Sequence, residues 1–208
     1  MNGRASRKHP VIIAVTSSSR KAGKSAVASY LVRELGAGFG LKVSSGSHAP
    51  AGSLTTDPKV ISRKGTDTGK LVEAGASRVL WVHAEPGRLN AQLQRALAVF
   101  PEKGLLVVEG NSAAVHLDPD YTVFLMAVPF DQFKPSALPA LERADLVLVD
   151  LTGALGELEP TSLEAEVTRL APSAIVISYD DDAGRKNTLA ETARLIRERL
   201  TPPVGGFV

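Results

Sequence analysis

Seven short runs rich in apolar and β-branched residues punctuate the chain, at 11–16, 41–45, 78–83, 104–109, 121–128, 146–150 and 173–178. Most are continuous rather than alternating, which is the pattern of strands covered on both faces. Between them run stripes of helical period. Val27, Leu31 and Leu35 follow Lys24 at i, i+4 and i+8, and Leu189, Ala193, Ile196 and Leu200 form a second stripe near the end. T-x-x-E at 161–164 and again at 188–191 predicts two helix starts by mutual capping. Gly36, Gly38 and Gly75 predict helix ends. Strand and helix in alternation imply a parallel sheet with right-handed crossovers, hence an α/β three-layer fold with a mainly parallel sheet of about seven strands. Residues 10–208 read as one domain behind a flexible basic tail over 1–9.

Composition narrows the classes of function. A net charge of +2 on 208 residues, with dispersed basic side chains, argues against nucleic acid as a partner. No cysteine is present, which removes disulfides, thiolate metal sites and cysteine nucleophiles. No apolar run approaches the ~20 residues that span a bilayer, so the expectation is a cytoplasmic protein without membrane contact.

The candidate chemistry begins at "SSSRKAGKS", residues 17–25, directly after the first predicted strand. A strand, a tight loop and a helix opening at Gly-Lys-Ser is the setting of a phosphate-binding loop. Backbone N–H groups there and the helix N-terminus attract phosphate oxygens. Ser19, Arg20, Lys21, Ala22, Gly23, Lys24, Ser25 and Ala26 are the candidate contacts, with Lys24 on the β/γ oxygens and the Ser25 hydroxyl on Mg²⁺. The pattern G-x-x-x-x-G-K-[ST] has serine at its first position, Ser18. That departure is harmless if the backbone there has ordinary dihedrals.

A second signal is "LLVVEGN", a hydrophobic strand ending in Glu109. Strand C-terminal ends form the ligand crevice of an open parallel sheet, which makes Glu109 a candidate magnesium ligand beside the loop. The long polar, glycine-rich stretch after the second strand adds Asp57 and Asp67 as candidates for orienting water or magnesium, and His48 for a phosphate or substrate. Asp67 equally suits the first turn of a helix. The run Asp180-Asp181-Asp182 reads as a solvated turn, and His9, His83 and His116 lack the spacing of a zinc site.

In order, "AGKS", "LKVSSGSH", "GTDTGKLVEAGASRVLWV" and "GLLVVEGN" resemble the molybdopterin-guanine dinucleotide biosynthesis protein B (MobB) family, over roughly residues 10 to 128. The resemblance implies a SIMIBI-class P-loop NTPase, a homodimer that binds GTP and assists a nucleotidyltransferase in molybdenum-cofactor biosynthesis. Carried onto this chain, Gly23, Lys24 and Ser25 become the phosphate and magnesium group, Asp67 the acid before the second helix, Glu109 the acid of the V-E-G element, and His48 one histidine of a His-rich loop. Lys24, Asp67 and Glu109 are then the catalytic candidates, and Ser25 and Glu109 the metal ligands.

Base choice stays open between GTP and ATP, because Gly153 stands where an N-K-x-D guanine reader carries its aspartate. Two other readings remain. One is an ATP-dependent small-molecule ligase or kinase resembling dethiobiotin synthetase, against which Asn111 stands where a small residue is expected. The other is a non-catalytic nucleotide-binding scaffold.

Overall fold

A computed structural model describes residues 9–20, 22–46, 53–127, 133–152 and 160–201, with backbone alone for 160–164. Lys21, His48 and Gly153, and residues 1–8 of the predicted tail, lie outside the described residues. In chain order the elements are β1 (Val11–Ser17), α1 (Lys24–Leu35), β2 (Phe39–Ser45), β3 (Ser53–Thr55), α2 (Pro58–Ile61), α3 (Asp67–Glu73), β4 (Arg78–Ala84), α4 (Pro86–Leu97), β5 (Leu105–Glu109), α5 (Asn111–His116), β6 (Tyr121–Ala127), α6 (Leu138–Leu141), β7 (Leu146–Asp150), α7 (Pro160–Leu170), β8 (Ile175–Tyr179) and α8 (Asp182–Leu200).

The strands form one sheet in the order β3-β4-β2-β5-β1-β6-β7-β8. Every pair is parallel except β3 with β4. The seven predicted strands are all present. The eighth, Ser53–Thr55, is a three-residue antiparallel edge strand that carries no apolar run to announce it.

Side-chain alternation along each strand builds the three layers. Ile13, Val15, Val107, Val123 and Leu125 point to the face covered by α1, α3 and α8, through Leu31, Leu71 and Ile196. Ile12, Leu41, Val82, Leu106 and Val108 point to the other face, under α4. Phe124, Val147 and Val149 continue that face under α6 and α7. Each fully buried Leu or Ile contributes roughly 1.5–3 kcal/mol by leaving water. No described helix is long and apolar enough to cross a membrane.

Two helix starts differ from expectation. T-x-x-E at 188–191 does not open a helix: α8 already runs from Asp182, and Thr188 is a buried interior residue. Its N-cap is Asp181, whose carboxylate accepts a hydrogen bond from Gly184 N, so the exposed acidic run is a cap as well as a solvated turn. The helix near 161 starts at Pro160, close to the other predicted box. Gly36 and Gly75 do follow helix ends, both at positive φ.

Chain order and sheet order together position the site. β1 lies between β5 and β6, so the loop after β1 and the acid ending β5 meet at the same sheet edge. Gly110 turns the chain there at φ 143°, and a Cβ on it would fall 2.5 Å from the carbonyl oxygen of Val43. Only glycine lets β5 and β2 approach this closely at their ends.

Candidate functional site

Residues 17–25 leave β1, pass over its C-terminal end and enter α1. Gly23 takes φ 84°, the left-handed region, and acts as N-cap without a side chain. The N–H groups of Lys24 and Ser25 stand in the first turn, where helical geometry supplies no intrahelical acceptor. Ala26 N differs, since it donates to Gly23 O at 3.0 Å and is already part of the first turn.

Ser18 does not need to be glycine. Among the described residues Asp118 is the only non-glycine at positive φ, so Ser18 has a backbone open to any side chain. It is 2% exposed and ties three segments together. Its N–H donates to Leu125 O (2.9 Å), its hydroxyl accepts from Ala127 N (3.3 Å), and its carbonyl accepts from Lys134 N (3.2 Å).

Lys24 folds over the loop. Its ammonium donates to Ser17 Oγ at 2.6 Å and to Ser19 O at 3.2 Å. Burial, reinforced by the charge of Lys134, pushes its pKa down to about 8. An ammonium held so reluctantly gains from a nearby polyanion.

Beside it, Ser25, Asp67 and Glu109 converge from α1, α3 and β5. The Ser25 hydroxyl lies 2.6 Å from Asp67 Oδ1 and 3.1 Å from Glu109 Oε1. Asp67 opens α3 one residue after Thr66, whose hydroxyl caps that helix by accepting from Gly69 N. It is therefore both the first-turn acid and a member of the site. Glu109 is 1% exposed, and its Oε2 has no hydrogen-bond partner among the described residues.

Sequence reasoning missed Lys42. It sits mid-strand in β2, and its ammonium reaches Asp67 Oδ2 at 2.6 Å and Glu109 Oε1 at 2.7 Å. Burial disfavours its charge, but Glu109 and Asp67 outweigh that and raise its pKa. Asp67 is lowered despite its own desolvation, through hydrogen bonds from Lys42 and Ser25.

These groups line a cleft of about 920 Å³. Arg20, Lys24, Lys42 and Lys134 face it against two carboxylates, Asp67 and Glu109, so the cleft favours a polyanion. Burial, with the charges of Arg20 and Lys42, lowers the Lys134 pKa. Ser44, Ser45, Ser112 and His116 also line the cleft. Asp57 is elsewhere: it caps α2, accepting from Lys59 N at 2.9 Å, and does not line the cleft.

The donor set fits Mg²⁺. It consists of hard oxygens, one hydroxyl and two carboxylates, and includes a buried carboxylate oxygen without a partner. Among the described residues no three His, Asp or Glu converge into a self-sufficient cage. Two carboxylates with open positions suit an ion that keeps waters and phosphate oxygens in its shell.

Solved structures similar to this chain include two of the hydrogenase maturation factor HypB. Hydrogenase maturation factor HypB from Archaeoglobus fulgidus superposes with a TM-score of 0.62 at 15% identity, covering 93% of this chain and 92% of that one. HypB from Helicobacter pylori, in complex with nickel, gives 0.56 at 14% identity over 96% and 93%. The fold is that of the P-loop NTPases. No protein-family model and no curated protein matches the sequence.

Proposed function

We propose that this chain binds a magnesium–nucleoside triphosphate, GTP or ATP, at the C-terminal edge of β1 and β5 and acts as a slow accessory NTPase. The observation that carries the reading is the meeting of Lys24, Ser25, Asp67 and Glu109, from three separate stretches of sequence, within one cationic cleft. In this reading Lys24 leaves Ser17 Oγ and Ser19 O for the β/γ oxygens. The amides of the loop and of the first turn of α1 receive the phosphates, and Arg20 supplies further positive charge. Ser25, Asp67 and Glu109 hold the metal, directly or through water. When bound, that ion neutralises charge on the phosphates.

The finer reading is an accessory role in attaching a nucleotide to molybdopterin, with the chain acting as a homodimer beside a nucleotidyltransferase or another molybdoenzyme-maturation partner. It is supported by the ordered MobB-like motifs. Its fold resembles that of HypB, a hydrogenase maturation factor.

One observation favours a second reading, an ATP-dependent ligase or kinase resembling dethiobiotin synthetase. The cleft is also lined by Ser44, Ser45, Ser112 and His116, polar groups available to a second small molecule. Phosphate release that depends on an added small-molecule acceptor would favour it over the accessory reading.

Calorimetric titration with ATP and GTP, with and without Mg²⁺, tests nucleotide binding. Lys24→Ala is expected to weaken Mg²⁺-nucleotide affinity by about 10- to 100-fold while the protein stays folded. Unchanged affinity in that variant would remove the site assignment.

A further inference from the structure

We propose that Lys42 makes metal occupancy of the Asp67–Glu109 pair conditional on the triphosphate: its ammonium holds the place of the divalent ion until a polyanion draws it away. This rests on the magnesium–nucleotide reading above and adds a residue that reading does not require.

Lys42 is the fourth residue of β2, flanked in the sheet by Trp81 of β4 and Glu109 of β5. Strand alternation sends its side chain toward the α1 and α3 layer, opposite to Leu41 and Val43. There it is 17% exposed, with Nζ between Asp67 Oδ2 and Glu109 Oε1. The Ser25 hydroxyl bonds to the other oxygen of Asp67 and to the same oxygen of Glu109. Ammonium and hydroxyl thus bracket one carboxylate pair, and Glu109 Oε1 is shared between them.

A divalent ion on these oxygens meets a fixed positive charge at contact range. Repulsion there is poorly screened, because Glu109 is buried and Lys42 nearly so. Free metal must therefore displace the ammonium, leaving Lys42 with no anionic partner. A triphosphate changes the balance. Lys42 lines the same cleft as Arg20, Lys24 and Lys134, so phosphate oxygens can replace the carboxylates it gives up. Metal and triphosphate then enter together, and each raises the affinity for the other.

The test is a Mn²⁺ titration of the nucleotide-free protein, read by the loss of the free-ion electron paramagnetic resonance signal. Wild type is expected to bind no Mn²⁺ saturably below about 1 mM, whereas Lys42→Met gains one site at least about tenfold tighter. Lys42→Arg, which keeps the charge, should behave as wild type. Adding Glu109→Gln to Lys42→Met should abolish the gained site. Circular dichroism establishes that each variant is folded, and Lys42→Gln serves if the methionine variant is not.

Equal Mn²⁺ affinity in wild type and Lys42→Met overturns the inference, as does a folded variant with no gained site. If wild type binds Mg²⁺-nucleotide and the Mn²⁺ titrations do not separate the two proteins, this inference alone falls. If calorimetry finds neither ATP nor GTP bound with Mg²⁺, the nucleotide reading falls and takes the inference with it.

Discussion

Asn111 grips the peptide of Ser17 from both sides, its Oδ1 2.9 Å from Ser17 N and its Nδ2 2.8 Å from Ser17 O. A primary amide offers one acceptor and one donor at the spacing of a neighbouring strand's backbone. At the end of β5, where that strand gives way to α5, the side chain of Asn111 therefore continues the ladder that β1 has lost. This ties the start of the phosphate loop to the element that carries Glu109. It also explains why a residue larger than the expected small one stands after Gly110.

Asn111→Ala should leave both polar groups of the buried Ser17 without partners. At about 1–3 kcal/mol for each unsatisfied group, urea unfolding should show a loss of about 2–4 kcal/mol after partial rehydration. Asn111→Asp should be no better, because a carboxylate cannot donate to Ser17 O. A loss below about 0.5 kcal/mol in the alanine variant would mean the bridge carries nothing.

Lys24 predicts a pH dependence of both binding and stability. Its pKa in the free protein is pushed down to about 8 by burial, and a triphosphate beside it raises that value again. Binding therefore takes up a proton near pH 8 and above. Affinity should be full below pH 7 and fall by about tenfold at pH 9, where about a tenth of the free protein still carries the charge. Calorimetry in two buffers of different ionisation enthalpy reads the uptake directly. Stability moves the opposite way. Between pH 8 and 10 the unfolded chain holds a proton that the folded chain has shed, so this residue's contribution to stability rises with pH. The difference between wild type and Lys24→Met isolates the effect.

Much of this was legible in the residues, for physical reasons. Continuous apolar runs mark strands of a sheet covered on both faces, and all seven predicted strands are present. Glu109 was readable because it ends such a run, and Asp67 because it stands in the long polar, glycine-rich stretch after the second strand and within the MobB-like motif. Lys42 was not readable. In "LKVSS" it is a single polar residue inside a strand, and only the sheet order, with β2 next to β5, sets it against Glu109. Lys134 has no local signal either; it reaches the cleft because Ser18 O holds its backbone N–H. The false helix start at 188–191 arose because T-x-x-E also occurs inside a helix, where the stronger cap at Asp181 had already set the beginning.

Ser18 supplies the last prediction. The residue departs from the glycine usual at that position, yet its φ is not positive and its side chain is used: Oγ accepts from Ala127 N. Ser18→Gly removes that acceptor and frees the unfolded chain, so it should destabilise by about 1–2 kcal/mol. Ser18→Ala loses the hydrogen bond alone and should cost about 1 kcal/mol. Neither change touches the first turn of α1 or Lys24, so Mg²⁺-nucleotide affinity should stay within about threefold of wild type, under 1 kcal/mol. A larger gain in affinity on restoring glycine would show that serine strains the loop, and that its hydroxyl is a repair rather than an anchor.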